Sequence, residues 1–211
     1  KFRYAFWQTV GALVSENYFG QLQTWCQRHG MNSGGHLLME EAPHQDVALY
    51  GDIFRCLRRM GAPGIDCLAK TPAKASWQSA RLASSVAELE GREKVMCEFN
   101  DGGESQYANY RDPLLNTPDP LFNTRGKINR LLLGGINTFT FYHMANNSVT
   151  STNGVLPDQI KILNQYVGRC NTLLGKGRRT SDIALLYPTE SLWVRSTPDS
   201  FRAKDTPAKQ V

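Results

Sequence analysis

The chain lacks most of the features by which a sequence declares its class. Its 211 residues contain no apolar run of the roughly 18 residues that a membrane-spanning helix requires. No block of like charges marks a solvated tail, so wholesale disorder is excluded. The five cysteines, at positions 26, 56, 67, 97 and 170, include no C-x-x-C and no zinc-ligand spacing. Their odd number argues against a full disulfide framework, and they read as buried free thiols. No G-x-G-x-x-G or G-x-x-x-x-G-K-[ST] occurs, so nucleotide-binding versions of an α/β fold have no support. Neither G-x-S-x-G nor H-E-x-x-H is present, which removes the nucleophile elbow and the helical zinc protease.

The net charge of +5 is also thinly spread. Its cations fall in "RCLRR", "GKGRR" and "FRAKDTPAKQV" rather than in one basic stripe interleaved with aromatics, so nucleic acid is not expected as a partner. The opening "KFRYAFWQTVGALV" has neither an initiator Met nor a signal-peptide start and begins inside an amphipathic helix pattern, so a piece of a longer protein is expected.

What is present is enough for a core: 41% hydrophobic and 20% charged residues. Apolar residues at Phe6, Val10, Leu13, Val14, Tyr18, Leu22 and Trp25 keep a helical period that Gly30 ends. "HLLME", "GIDCL", "KVMCEF" and "INTFTFYH" read as short strands, separated by the helix patterns "VALYGDIFRCLRRMGAP", "SWQSARLASSVAELEG" and "TRGKINRLLLGG". The alternation predicts parallel strands at about 36–40, 64–68, 94–99 and 135–142. The fold class is α/β: a partial (β/α)8 TIM barrel, its C-terminal half, over residues 1–180. Residues 181–211 are expected to start a following α/β domain or to form a disordered tail, with "DIALLYP" as a buried strand. Residues 100–120, with two tyrosines and adjacent glycines, are expected to form a lid loop.

In a barrel the reacting groups stand at the C-terminal strand ends. Those ends deliver Glu40 and Glu41, then Asp66, Glu98 and His143. One acid after a strand is usually a helix cap; four successive strands ending in ionisable groups suggest a shared rim. Paired carboxylates on a cleft suit glycosidic cleavage, one protonating the leaving oxygen and the other attacking the anomeric carbon or activating water. Catalytic candidates are therefore Glu40, Glu98 and Glu41. Strand alternation allows only one of Glu40 and Glu41 to point inward, and Glu40 is favoured because His36 shares its face. Substrate-binding candidates are His36, Asp66, Trp77, Tyr107, Tyr110, Tyr142 and His143, the aromatics by stacking on sugar rings. For Trp77, packing at a helix seam is an equally good reading. His36, Glu40, Glu41 and His44 do not make a metal site, because Pro43 breaks the helix that their spacing would need. Cys97 would point away from Glu98 on a strand, among the helices.

The blocks "YFGQLQTWCQRHGMNSGGHLLMEE", "GAPGID", "SSVAELEGREKVMCEF" and "GGINTFTFYH" together resemble large bacterial-type glycoside hydrolases with TIM-barrel catalytic domains, in the style of the α-L-rhamnosidase and β-galactosidase-like families. "TSDIALLYPTESLW" is similar to the segment by which such enzymes leave the barrel. The resemblance implies hydrolysis of O-glycosidic bonds in plant or microbial glycans, without a cofactor or metal. Met39 stands where many barrel glycosidases have Asn before the acid, which leaves the assignment of acid and nucleophile open. The alternative is a non-catalytic, carbohydrate-binding remnant of a barrel. Four or five strands imply that the rest of the barrel, or an oligomeric partner, completes the structure. The substrate class implies an extracellular or periplasmic setting.

Overall fold

The computed structural model describes residues 1–69, 72–100, 120–142, 157–175, 177 and 180–201. The chain begins with a long helical rod: α1 (Phe2–Val14), a π-helical turn (Ser15–Gly20) and α2 (Gln21–Arg28). The buried side of this rod is Trp7, Gly11, Ser15 and Gln23, whereas Phe6, Leu13, Tyr18, Leu22 and Trp25 are exposed. The helical period was legible, but the face that meets the protein is not its most apolar one. Gly11 allows this approach, since a Cβ there would lie 3.0 Å from Asp52 Cβ.

Next come β1 (Gly34–Gly35), α3 (Pro43–Tyr50), α4 (Ile53–Arg58), β2 (Ala62–Cys67), α5 (Trp77–Leu89) and β3 (Met96–Asn100). They are followed by α6 (Pro120–Gly134), β4 (Thr138–Tyr142), α7 (Pro157–Leu174) and α8 (Thr189–Arg195). The expected single helix over "VALYGDIFRCLRRMGAP" is two. Gly51 at φ 72° turns the chain, and the Asp52 carboxylate then accepts the Arg55 N–H at 3.1 Å to start α4. Ser76 caps α5 in the same way, accepting the Ser79 N–H at 3.0 Å.

All four strands are parallel and adjacent in chain order, β1-β2-β3-β4, in a curled sheet within a mostly helical α/β fold. Three of them lie where the sequence pattern expects strands. The first does not. The strand is Gly34–Gly35, and residues 38–41 form a turn instead of the end of a strand. Of the run "LLM", only Leu37 is buried, while Leu38 and Met39 are 48% and 36% exposed. The turn forms because the Glu40 carboxylate folds back onto the Leu37 N–H at 2.9 Å, with Met39 in the left-handed region at φ 68°. Pro43 then opens α3 at a position where its missing N–H is harmless.

The register sets the two sheet faces. Ile65, Cys67, Cys97 and Phe99, all 4% exposed or less, pack against α5, α6 and α7 through Ala80, Ala83, Ile128, Leu131 and Leu163. All five cysteines are free thiols. The opposite face carries Gly64, Asp66, Met96, Glu98, Thr138 and Thr140, and Asp66, Glu98 and Thr140 form one cross-strand row. Parallel sheets are normally covered on both faces. Here the second face is polar and partly open among the described residues.

"DIALLYP" is not a buried strand. No described strand pairs with it, and Ile183, Leu185 and Leu186 are 86–89% exposed. The chain then packs back against the start of the protein, with Trp193 in a cluster with Trp7 and Val47. No helix of the described residues is long and apolar enough to cross a membrane.

Candidate active site

The segment after β1, the C-terminal part of β2 and the middle of β3 bring four ionisable groups together; Glu98 is the central residue of β3 and not the strand end that the sequence pattern predicts. His36 is the hub. Its Nε2 lies 3.0 Å from Glu98 Oε2, and its Nδ1 lies 3.3 Å from Glu40 Oε1 and 2.9 Å from the Leu37 carbonyl. Both ring nitrogens therefore face acceptors, an arrangement that only the imidazolium satisfies fully. The hydrogen bond with Glu40 leads in raising the His36 pKa to about 9; burial opposes it, and the Leu37 carbonyl and the charges of Glu40 and Asp66 add to it.

The two glutamates on His36 differ in access. The Glu40 side chain is 1% exposed, that of Glu98 28%. Glu40 Oε1 accepts the N–H of Leu37 at 2.9 Å and that of Asp66 at 3.3 Å besides facing His36. It thus ties the β1 turn to β2. Glu41 is exposed on the turn. Glu40 points inward, but through the geometry of a turn and not through strand alternation.

Asp66 stands directly beside Glu98 in register, on the open face. Its Oδ1 is shut off from solvent and has no hydrogen-bond partner. Burial is the main cause that raises its pKa to about 6; the His36 cation opposes this, and Glu40, Glu98 and Glu41 reinforce it.

A second acid, Asp46 on α3, was not singled out from the sequence, where it reads as a first-turn helix acid. It is 2% exposed, with Oδ1 unpartnered and Oδ2 accepting the Tyr187 hydroxyl at 3.0 Å. Burial foremost lifts its pKa to about 8, against the Tyr187 hydrogen bond and with the charges of Glu40 and Glu41. Tyr187 is itself held well above its ordinary value by burial and by Asp46. Tyr50, also raised by burial, accepts the Leu38 N–H at 2.7 Å and so braces the turn that carries Glu40. No local pattern in the sequence links these groups, since Asp46 and Tyr187 are 141 positions apart.

Of the remaining candidates only Trp77 and the backbone of Tyr142 fall among the described residues. Trp77 opens α5, 49% exposed, with its ring edge near Gly134 at the α5–α6 seam. That is the packing position already weighed for it. Tyr142 is the last residue of β4, whereas Tyr107, Tyr110, His143 and all but the two end residues of the lid expected over 100–120 lie outside the described residues. Among the described residues no group of three or more His, Cys, Asp or Glu has a geometry suited to a metal ion.

No protein-family model matches the chain, and no curated protein or solved structure matches it either.

Proposed function

We propose that this chain carries the carboxylate-bearing part of a glycoside hydrolase, built as the C-terminal half of a (β/α)8 barrel, and that it acts on O-glycosidic bonds of plant or microbial glycans. The supporting observation is Glu98: a partly exposed carboxylate, ion-paired to His36, on an open polar sheet face in the middle of β3. Such a group serves as nucleophile or as base for water, and a second carboxyl beside it supplies the proton. Parallel strands in chain order with helical crossovers are what half a barrel provides. The rest of the barrel, from further chain or an oligomeric partner, would then cover the open face and bind the remainder of the sugar.

One observation favours the second reading, a carbohydrate-binding remnant without turnover. Two hollows among the described residues lie elsewhere, one along α7 at Gln165 and Arg169, the other at the ends of α2 and α4 near Arg28 and Arg58. The carboxylate row lies on the open sheet face. Assaying the full natural chain and its Glu98→Gln variant against a panel of aryl glycosides, with glycan binding measured in parallel, separates the two. Turnover lost by orders of magnitude in Glu98→Gln supports the hydrolase. Binding without turnover supports the remnant, and neither binding nor turnover defeats both.

A further inference from the structure

We propose that Asp66, and not Glu40, is the acid that protonates the leaving oxygen opposite Glu98, while Glu40 is a positioning residue. This rests on the glycoside-hydrolase reading and goes beyond it in dividing roles among the carboxyls.

Three geometric facts carry the assignment. Asp66 and Glu98 are register partners on neighbouring parallel strands, with side chains on the same open face and backbones about one strand spacing, ~4.8 Å, apart. A substrate reaching Glu98 from that face therefore meets Asp66 as well. Glu40 is different: its side chain is sealed, and one oxygen already serves two backbone N–H groups and His36. Its carboxylate is committed to holding the turn against β2 and, sealed from solvent, is not presented to a substrate on the open face.

The environments of the neighbours differ in the right sense. Glu98 has a cation 3.0 Å away. Asp66 feels the same cation without a direct contact, among Glu40, Glu41 and Glu98, and one of its oxygens is shut off from solvent with no donor among the described residues. That is the setting of a carboxyl that keeps its proton. In the step, the Asp66 proton passes to the glycosidic oxygen as the anomeric C–O bond breaks, and the bonding pair leaves with the alcohol. Glu98 supplies the opposing charge, as nucleophile at the anomeric carbon or as base for water. One water is consumed overall: its oxygen ends on the sugar, and the proton lost by Asp66 is restored.

The test uses two leaving groups. A dinitrophenolate departs without protonation, whereas an alkoxide does not. Asp66→Asn in the full natural chain should lower turnover of an alkyl glycoside about 10²–10⁴-fold and leave the dinitrophenyl glycoside within about tenfold. Glu40→Gln should lower both together, by loosening the turn. An equal loss for both substrates in Asp66→Asn, or the split appearing in Glu40→Gln, overturns the assignment. If the wild type cleaves neither substrate, the hydrolase reading fails, and carboxyl ¹³C NMR decides where the proton resides. Asp66 titrating near 6 supports the division, and an Asp66 titrating near its ordinary value, about 4, overturns it.

Discussion

His36 Nε2 and Glu98 Oε2 stand 3.0 Å apart across 62 positions of sequence, joining the turn after β1 to the middle of the sheet. This contact skips β2, which lies between the two elements in the sheet, so it helps to fix the curl. Because His36 is held protonated up to about pH 9, its pairing stabilises the fold fully below its ordinary value of 6.5 and is lost as pH rises through 9. Imidazole ¹⁵N shifts should report both ring nitrogens protonated at pH 7. A single neutral tautomer there would contradict the ion pair, and His36→Gln should flatten the stability change between pH 6.5 and 9.

Asp46 makes stability fall over an overlapping range. Its folded pKa of about 8 exceeds the ordinary 3.8, so the folded state keeps a proton that the unfolded chain has released. Stability therefore declines as pH rises from about 4 to about 8. Asp46→Asn mimics the protonated form. It should melt in urea close to wild type at about pH 3 and be the more stable of the two at pH 9. The opposite order at pH 9 would show that burial does not disfavour the Asp46 carboxylate in the fold.

Tyr187→Phe removes the only hydrogen bond described for the Asp46 carboxyl, and with it the tie from the 183–187 segment to α3. A loss of about 0.5–1.5 kcal/mol is expected. It should be largely absent in the Asp46→Leu background, where the hydroxyl has no acceptor; additive losses in that double mutant would place the effect elsewhere.

Gly64 is fixed by contact and not by backbone angle. A Cβ on it would stand 2.2 Å from Met96 Cγ, 2.7 Å from the Met96 carbonyl and 2.9 Å from the Gly35 carbonyl. Gly64→Ala should cost about 1–3 kcal/mol in a denaturant melt. Met96→Ala should not rescue it, because the two carbonyls remain. Full rescue would mean that only the Met96 side chain was in the way.

The order and direction of the strands could be read in advance because helix and strand periods alternate cleanly from "GIDCL" to "INTFTFYH". Glu98 could be placed because the two-residue period of its strand puts Cys97 and Phe99 among the helices and Glu98 opposite them. The turn at residues 38–41 could not, since an apolar triplet before two acids reads as a strand and only the reach of Glu40 to the Leu37 N–H makes it bend. Asp46 was hidden for the same kind of reason. Its partner is the hydroxyl of Tyr187, far along the chain, and no local pattern reports such a contact. "DIALLYP" misled in the other direction: its composition suits a strand, but no described strand pairs with it and its apolar side chains stay exposed.

The indole N–H of Trp7 donates to the Ser196 carbonyl at 3.1 Å, 189 positions later, and Trp193 donates back to Gly51. On a ribosome this clasp is the last part of the described chain to close. At synthesis rates of about 5–20 residues per second, α1 waits roughly 10–40 s for its covering helix. Closing so long a loop adds little to its entropic cost, which grows only with the logarithm of length. The consequence is one of time: throughout elongation Trp7 and Val47 lack the ring that buries them in the finished protein, and the nascent chain offers chaperones an apolar patch that only the final residues of the clasp remove.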